Sequence, residues 1–113
     1  MKTNRYTFSC DLKEDPELIA EYKNYHAAGN AWPEITKSIR DAGILEMEIY
    51  LTGNRMFMIM ETVETFDPQR KADMDAANPK VQEWESLMWK YQQELPWAPA
   101  GIKWIPLEQI FKL

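Results

Sequence analysis

Two side chains four residues apart, Tyr22 and His26, set up the first piece of chemistry. On a helix, residues at that spacing lie one above the other, so a phenol and an imidazole are delivered to one place. Imidazole titrates near pH ~6.5 and both gives and takes protons at neutrality. His26 stands just before Gly29-Asn30, at a helix end, where side chains meet loops and hollows. A half-buried histidine bonded to a carbonyl is the commoner use of such a position, and the spacing alone leaves both readings open.

A second set is aromatic. Trp32, Trp84, Trp89, Trp97 and Trp104 are many indoles for a chain of 113 residues. Indoles stack on the C–H faces of sugars and other ring ligands, and they also fill cores. Trp84 falls on a helical apolar stripe and reads as core. Trp89 lies one position off that stripe, beside Met88, and Trp97 and Trp104 flank a Pro/Gly loop able to cover a pocket. A third candidate is the pair Glu46 and Glu61, which face each other if the hairpin described below is in register. Adjacent carboxylates repel, which lifts the pKa of one toward the range of a neutral-pH acid. Two solvated glutamates on an exposed edge fit the same positions. Met47, Met56, Met58, Met60 and Met88 read as core filler.

Several classes of function are disfavoured. Thirteen Lys+Arg against eighteen Asp+Glu give a net charge of −5, with no basic run. Nucleic acid and anionic membrane are therefore not expected partners. One Cys and one His do not make an ordinary zinc site, which takes three or four such ligands. There is no glycine-rich phosphate loop and no GxSxG elbow. Cys10, the one cysteine, has no internal disulfide partner, as expected in a reducing compartment. The opening MKTNRYTFSCDLKEDP lacks the apolar stretch of a secretion signal, and Met56 to Met60 is far short of a membrane span, so a cytoplasmic protein is expected. The length suits a single domain, residues 1–113, able to bury roughly 65% of its unfolded surface.

The elements that must position these side chains are read from period. Tyr6, Phe8, Cys10 and Leu12 alternate with polar residues, which predicts a strand from Arg5 to Leu12. Asp15-Pro16 is an N-cap followed by proline at the first helical position, and Leu18, Ile19, Tyr22 and His26 then recur on one face. Trp32-Pro33 restarts a helix with Ile35 and Ile39 facing inward, closed by Gly43. Ile44 to Leu51 and Met56 to Thr62 form a hairpin around Gly53-Asn54. A two-residue loop pairs Leu51 with Met56, Ile49 with Met58 and Met47 with Met60 on one face. It sets Tyr50 beside Phe57, Glu48 beside Ile59 and Glu46 beside Glu61 on the other, and a slip of one residue would exchange the faces. Asp67-Pro68 and Asn78-Pro79 open a short and a longer helix; the longer carries Val81, Trp84, Leu87, Met88 and Tyr91 and runs to Pro96. Trp104 to Phe111 is the expected last strand, an edge strand because Pro106 lies within it. The order β-α-β-β-α-β is α+β, a ferredoxin-like antiparallel sheet with helices on one side. The uncovered side calls for a partner, most simply a second copy, giving a dimeric α+β barrel.

Taken together, EYKNYH (21–26), WPEI (32–35), AGILEMEIYL (42–51), MFMIME (56–61), NPKVQEWESLMWKYQQELPW (78–97) and IFKL (110–113) resemble the L-rhamnose mutarotase family along the length of the domain. The resemblance implies a ferredoxin-like fold, a homodimer, and interconversion of the α and β anomers of a 6-deoxy-L-hexose, L-rhamnose or L-fucose, with no metal or organic cofactor. It places the catalytic acid on His26 and a sugar-contacting tyrosine on Tyr22. The family's tandem aromatic pair falls on Met88 and Trp89, and a further sugar-contacting tyrosine falls on Met47. On this reading His26 moves a proton, Tyr22 orients the sugar, Trp89 stacks on its ring, and Met88 and Met47 pack its methyl. The second proton-transfer group is left open among Glu61, Glu46 and a water. Rival readings on the same fold are a monooxygenase or haem-binding protein of the dimeric α+β barrel type, and a non-catalytic sugar-binding module.

Overall fold

The computed structural model describes residues 2–113. The element order is β1 (Thr3–Leu12), α1 (Pro16–His26), α2 (Pro33–Asp41), β2 (Ile44–Thr52), β3 (Arg55–Val63), α3 (Pro68–Ala76), α4 (Pro79–Met88), β4 (Gln92–Gln93) and β5 (Ile105–Pro106). The sheet is antiparallel in the order β2-β3-β1, and the two short strands β4 and β5 share the free edge of β1. Each crossover is a pair of helices, so the chain keeps the ferredoxin-like α+β order.

Local chemistry explains the boundaries. The Asp15 carboxylate accepts from the backbone N–H groups of Glu17 and Leu18, Asp67 accepts from Gln69, and Asn78 accepts from Lys80 and Val81. Each capping residue is followed by a proline that has no N–H to satisfy. The hairpin has the expected register, with Leu51 opposite Met56, Ile49 opposite Met58, Met47 opposite Met60 and Glu46 opposite Glu61. A bulge between Ile44 and Glu46 ends the regular pairing. The apolar face so defined, with Cys10, Leu12 and Met56 at its centre, packs on Tyr22 of α1, Ile35 of α2 and Val81, Trp84 and Met88 of α4. Burial pushes the Cys10 thiol up to about 12. The opposite face, with Tyr50, Phe57 and Ile59, has no helix over it. Asp11 and Arg55 form a two-point ion pair there at 2.8 and 3.1 Å.

Two expectations at the C-terminal end are corrected. The longer helix stops at Met88 rather than near Pro96. Tyr91 remains buried, as its place on the apolar stripe suggested, but it is reached through a turn in which its N–H donates to the Met88 carbonyl. Leaving the helix there lets Gln92 and Gln93 pair with Leu12 and Asp11. The last strand is not Trp104 to Phe111 but the two residues Ile105 and Pro106, opposite Ser9 and Phe8. The Leu107 N–H adds a bond to Thr7, beyond which Ile110 and Phe111 are exposed. Pro106 offers no N–H to the ladder, which keeps this edge short. Among the described residues no helix is long and apolar enough to cross a membrane.

Gly43 joins α2 to β2 at φ 96°, and a Cβ placed there would lie 2.8 Å from Val63 Cγ2. Its carbonyl accepts from the Val63 N–H, so the neighbour is held close. Gly43→Ala is therefore expected to destabilise the fold by at least about 1–2 kcal/mol, read as a lower urea midpoint at unchanged m-value. A midpoint equal to that of the parent would contradict this account of the turn.

Candidate active site

Helix α1 delivers Tyr22 and His26 together. Their rings stack with centroids 4.2 Å apart, tilted 28°. His26 is the last residue of the helix, and its Nδ1 lies 2.8 Å from the Tyr22 carbonyl oxygen. A carbonyl only accepts, so Nδ1 carries the proton and Nε2 keeps its lone pair. The edge of Trp84 closes on the imidazole at 5.5 Å, and Trp32 stands behind Trp84 at 5.0 Å. Burial holds the His26 pKa below the usual imidazole value, and the carbonyl bond opposes this only in part. The histidine is thus neutral at pH 7, with a free acceptor nitrogen.

Both rings border a hollow of about 660 Å³ between the sheet and the helices. That is within the roughly 300–1,000 Å³ of small-molecule sites. Its sheet side includes Tyr6, Phe8, Met47, Ile49 and Met58, and its helix side Ile35, Trp84 and Met88. Trp104 and Glu85 also border it. Its polar lining includes Tyr22, His26, Arg40, Glu46, Glu85 and Gln92. The Tyr22 hydroxyl accepts from Gln92 Nε2 at 3.1 Å, and burial pushes the phenol pKa up, so it stays protonated. Glu85 is bonded to the Lys103 ammonium at 2.6 Å. A smaller space of about 260 Å³, lined by Leu12, Leu51 and Met56, adjoins the same Tyr22–His26 pair. No group of three or more His, Cys, Asp or Glu able to hold a metal occurs among the described residues.

Of the residues singled out from sequence, His26, Tyr22, Met88 and Met47 come together around the hollow. Trp89 does not. Its side chain is partly exposed, and the Lys103 ammonium lies 4.9 Å above its ring, so it braces the lysine that holds Glu85. Glu46 borders the hollow, whereas Glu61 turns to Arg5 and Thr3 on β1 at 2.8 and 2.9 Å. Those bonds hold the Glu61 carboxyl below the usual range, opposite to the raised value a mutually repelling pair would give. Trp97 is exposed, with the Arg55 guanidinium 4.9 Å from its ring. Sequence reasoning missed Gln92 and Glu85. Glu85 sits beside Trp84 on α4, but Gln92 was hidden because the helix was extended through it.

The family profile described as L-rhamnose mutarotase matches residues 5–113. The chain belongs to that family. An L-fucose mutarotase of Xanthomonas campestris is 42% identical over 113 residues, covering 100% of this chain and 90% of the relative. An L-rhamnose mutarotase of Phocaeicola vulgatus is 32% identical over 91 residues, covering 80% and 78%. The crystal structure of an L-rhamnose mutarotase of Formosa agariphila superposes with a TM-score of 0.69 at 25% identity, covering 97% of this chain and 98% of that one. Mutarotases are carbohydrate isomerases, and membership agrees with the resemblance read from the motifs.

His26 is the only histidine, so its titration needs no assignment. The imidazole Cε1–H shift, followed by NMR against pH, is expected to show a midpoint below pH ~6.5. Because the folded pKa is lowered, the stability that goes with the neutral ring is present above pH ~6.5 and is lost as the pH falls through the folded pKa. A midpoint above the free-imidazole value would overturn the burial argument.

Proposed function

We propose that this chain is a mutarotase interconverting the α and β anomers of a 6-deoxy-L-hexose. The observation that carries the reading is the neutral His26, with Nε2 free, stacked on Tyr22 at the wall of a hollow large enough for a pyranose. Anomer exchange needs two proton movements. A base takes the proton of the anomeric hydroxyl, an acid protonates the ring oxygen, and the C1–ring-oxygen bond breaks to give the open aldehyde. Rotation about C1–C2 and reclosure in the reverse sense give the other anomer. In this reading Nε2 of His26 takes the hydroxyl proton, and Tyr22 orients the sugar by donating its phenol hydrogen. Met47 and Met88 pack the sugar's C6 methyl, and the indoles that border the hollow are Trp84 and Trp104. Glu46 and a water are the groups left for the ring oxygen. A positioned acid–base group contributes about 10²–10⁴-fold.

L-Fucose is placed ahead of L-rhamnose because the relative named for it is the more similar one, over the full chain. Saturation transfer between the two anomeric protons of L-fucose is expected to quicken with the protein. His26→Ala should lose at least tenfold of that gain. Unchanged exchange with L-fucose and L-rhamnose alike would remove the enzymatic claim.

The working unit in this reading is a homodimer in the cytoplasm, formed where the uncovered sheet faces of two copies meet. Tyr50 at 54% exposure, with the half-buried Phe57 and Ile59 beside it, supplies an apolar centre for that contact. Sedimentation should give a species near twice 13.4 kDa, and a monomer at all concentrations tested would refute the pairing.

A further inference from the structure

Gln92 combines three properties that bear on binding. Only 4% of it is exposed, and its backbone is locked to Leu12 by the β4–β1 pairing. Its amide is anchored at one end, Nε2 donating to the Tyr22 hydroxyl at 3.1 Å. The other end, Oε1, is buried and receives no donor among the described residues. A buried acceptor left unmatched costs roughly 1–3 kcal/mol, so one kept beside a binding hollow needs an explanation.

The geometry around it supplies one. The side chain borders the same hollow as His26, Glu85 and Trp104. Because Nε2 occupies the oxygen of Tyr22, the phenol hydrogen is free to donate. Tyr22 and Gln92 thus offer a donor and an acceptor side by side. Neighbouring hydroxyls of a pyranose match that pair, since each hydroxyl accepts with one atom and donates with the other.

We propose that Gln92 is a substrate-binding residue whose amide oxygen accepts a hydrogen bond from one ring hydroxyl of the sugar. The assignment rests on the sugar reading above and adds a specificity group to it. A site built around an acceptor discriminates strongly against a ligand that lacks the matching hydroxyl. Apolar walls tell sugars apart far less well.

The test is calorimetric titration of the wild type and Gln92→Met with L-fucose and L-rhamnose. It continues with analogues of the tighter binder that each lack the hydroxyl at C2, C3 or C4. Methionine keeps the length of the side chain and removes the acceptor. The expected result is a loss of about ten- to hundredfold in affinity for the parent sugar in Gln92→Met. One of the three analogues should bind the wild type more weakly by a similar factor and suffer no further loss in the variant. Equal binding of the parent sugar by both proteins overturns the assignment. So does a loss of the same size for every analogue, which is the mark of a merely structural role. Should Gln92→Met not fold, the wild type binding all three analogues as tightly as the parent refutes the assignment by itself. Absence of binding by either parent sugar refutes it too. Gln92-dependent binding without any quickening of anomer exchange would uphold this inference and remove the isomerase reading instead.

Discussion

The bond between Nδ1 of His26 and the carbonyl of Tyr22 decides what the imidazole is able to do. It closes within one turn of α1, so it needs no distant element to form. It commits the ring proton to the helix end, which leaves the other nitrogen as a lone pair facing outward. The phenol of the same turn then lies flat against the imidazole, and the ring cannot rotate without losing both contacts. The remaining architecture gives this pair a hollow to face. The sheet supplies a floor of methionine and aromatic side chains, the second crossover brings Trp84 and Met88, and burial keeps the imidazole uncharged.

That division explains how much was legible in advance. Features fixed by neighbours in sequence were readable: the caps at Asp15, Asp67 and Asn78, the Tyr22–His26 spacing, and the two-residue turn that sets the hairpin register. The turn mattered most, because side chains alternate between faces along a strand and the register groups Met47, Ile49 and Met58 on one face, while helix packing decides that this face is the covered one. Met47 borders the hollow from this face; its role at the sugar is what the family resemblance implies.

The misreadings came from segments whose geometry is set by distant partners. Apolar period carried the last helix past Met88, since Tyr91 and Leu95 continue a buried series. The bonds that end the helix come from β1, far away in the chain, and they turn Gln92 inward. The resemblance sets Trp89 on the sugar through the family's aromatic pair, and in this structure its ring lies beneath the Lys103 ammonium. Glu61 illustrates the same limit. Its cross-strand neighbour was known from the hairpin, yet β1 pairs on its other side and Arg5 is the nearer charge. An element between two strands has two neighbours, and a hairpin reveals one.

Cys10 carries a practical corollary. It sits near the C-terminal end of the inner strand β1, beneath the helices, with no measurable exposure and a thiol pKa pushed up by burial. Thiolate is the species that alkylating reagents attack, and here it is scarce as well as shielded. Reagents such as iodoacetamide must therefore wait for the layers to part. The rate at which the chain's lone thiol is modified is a clock for that opening.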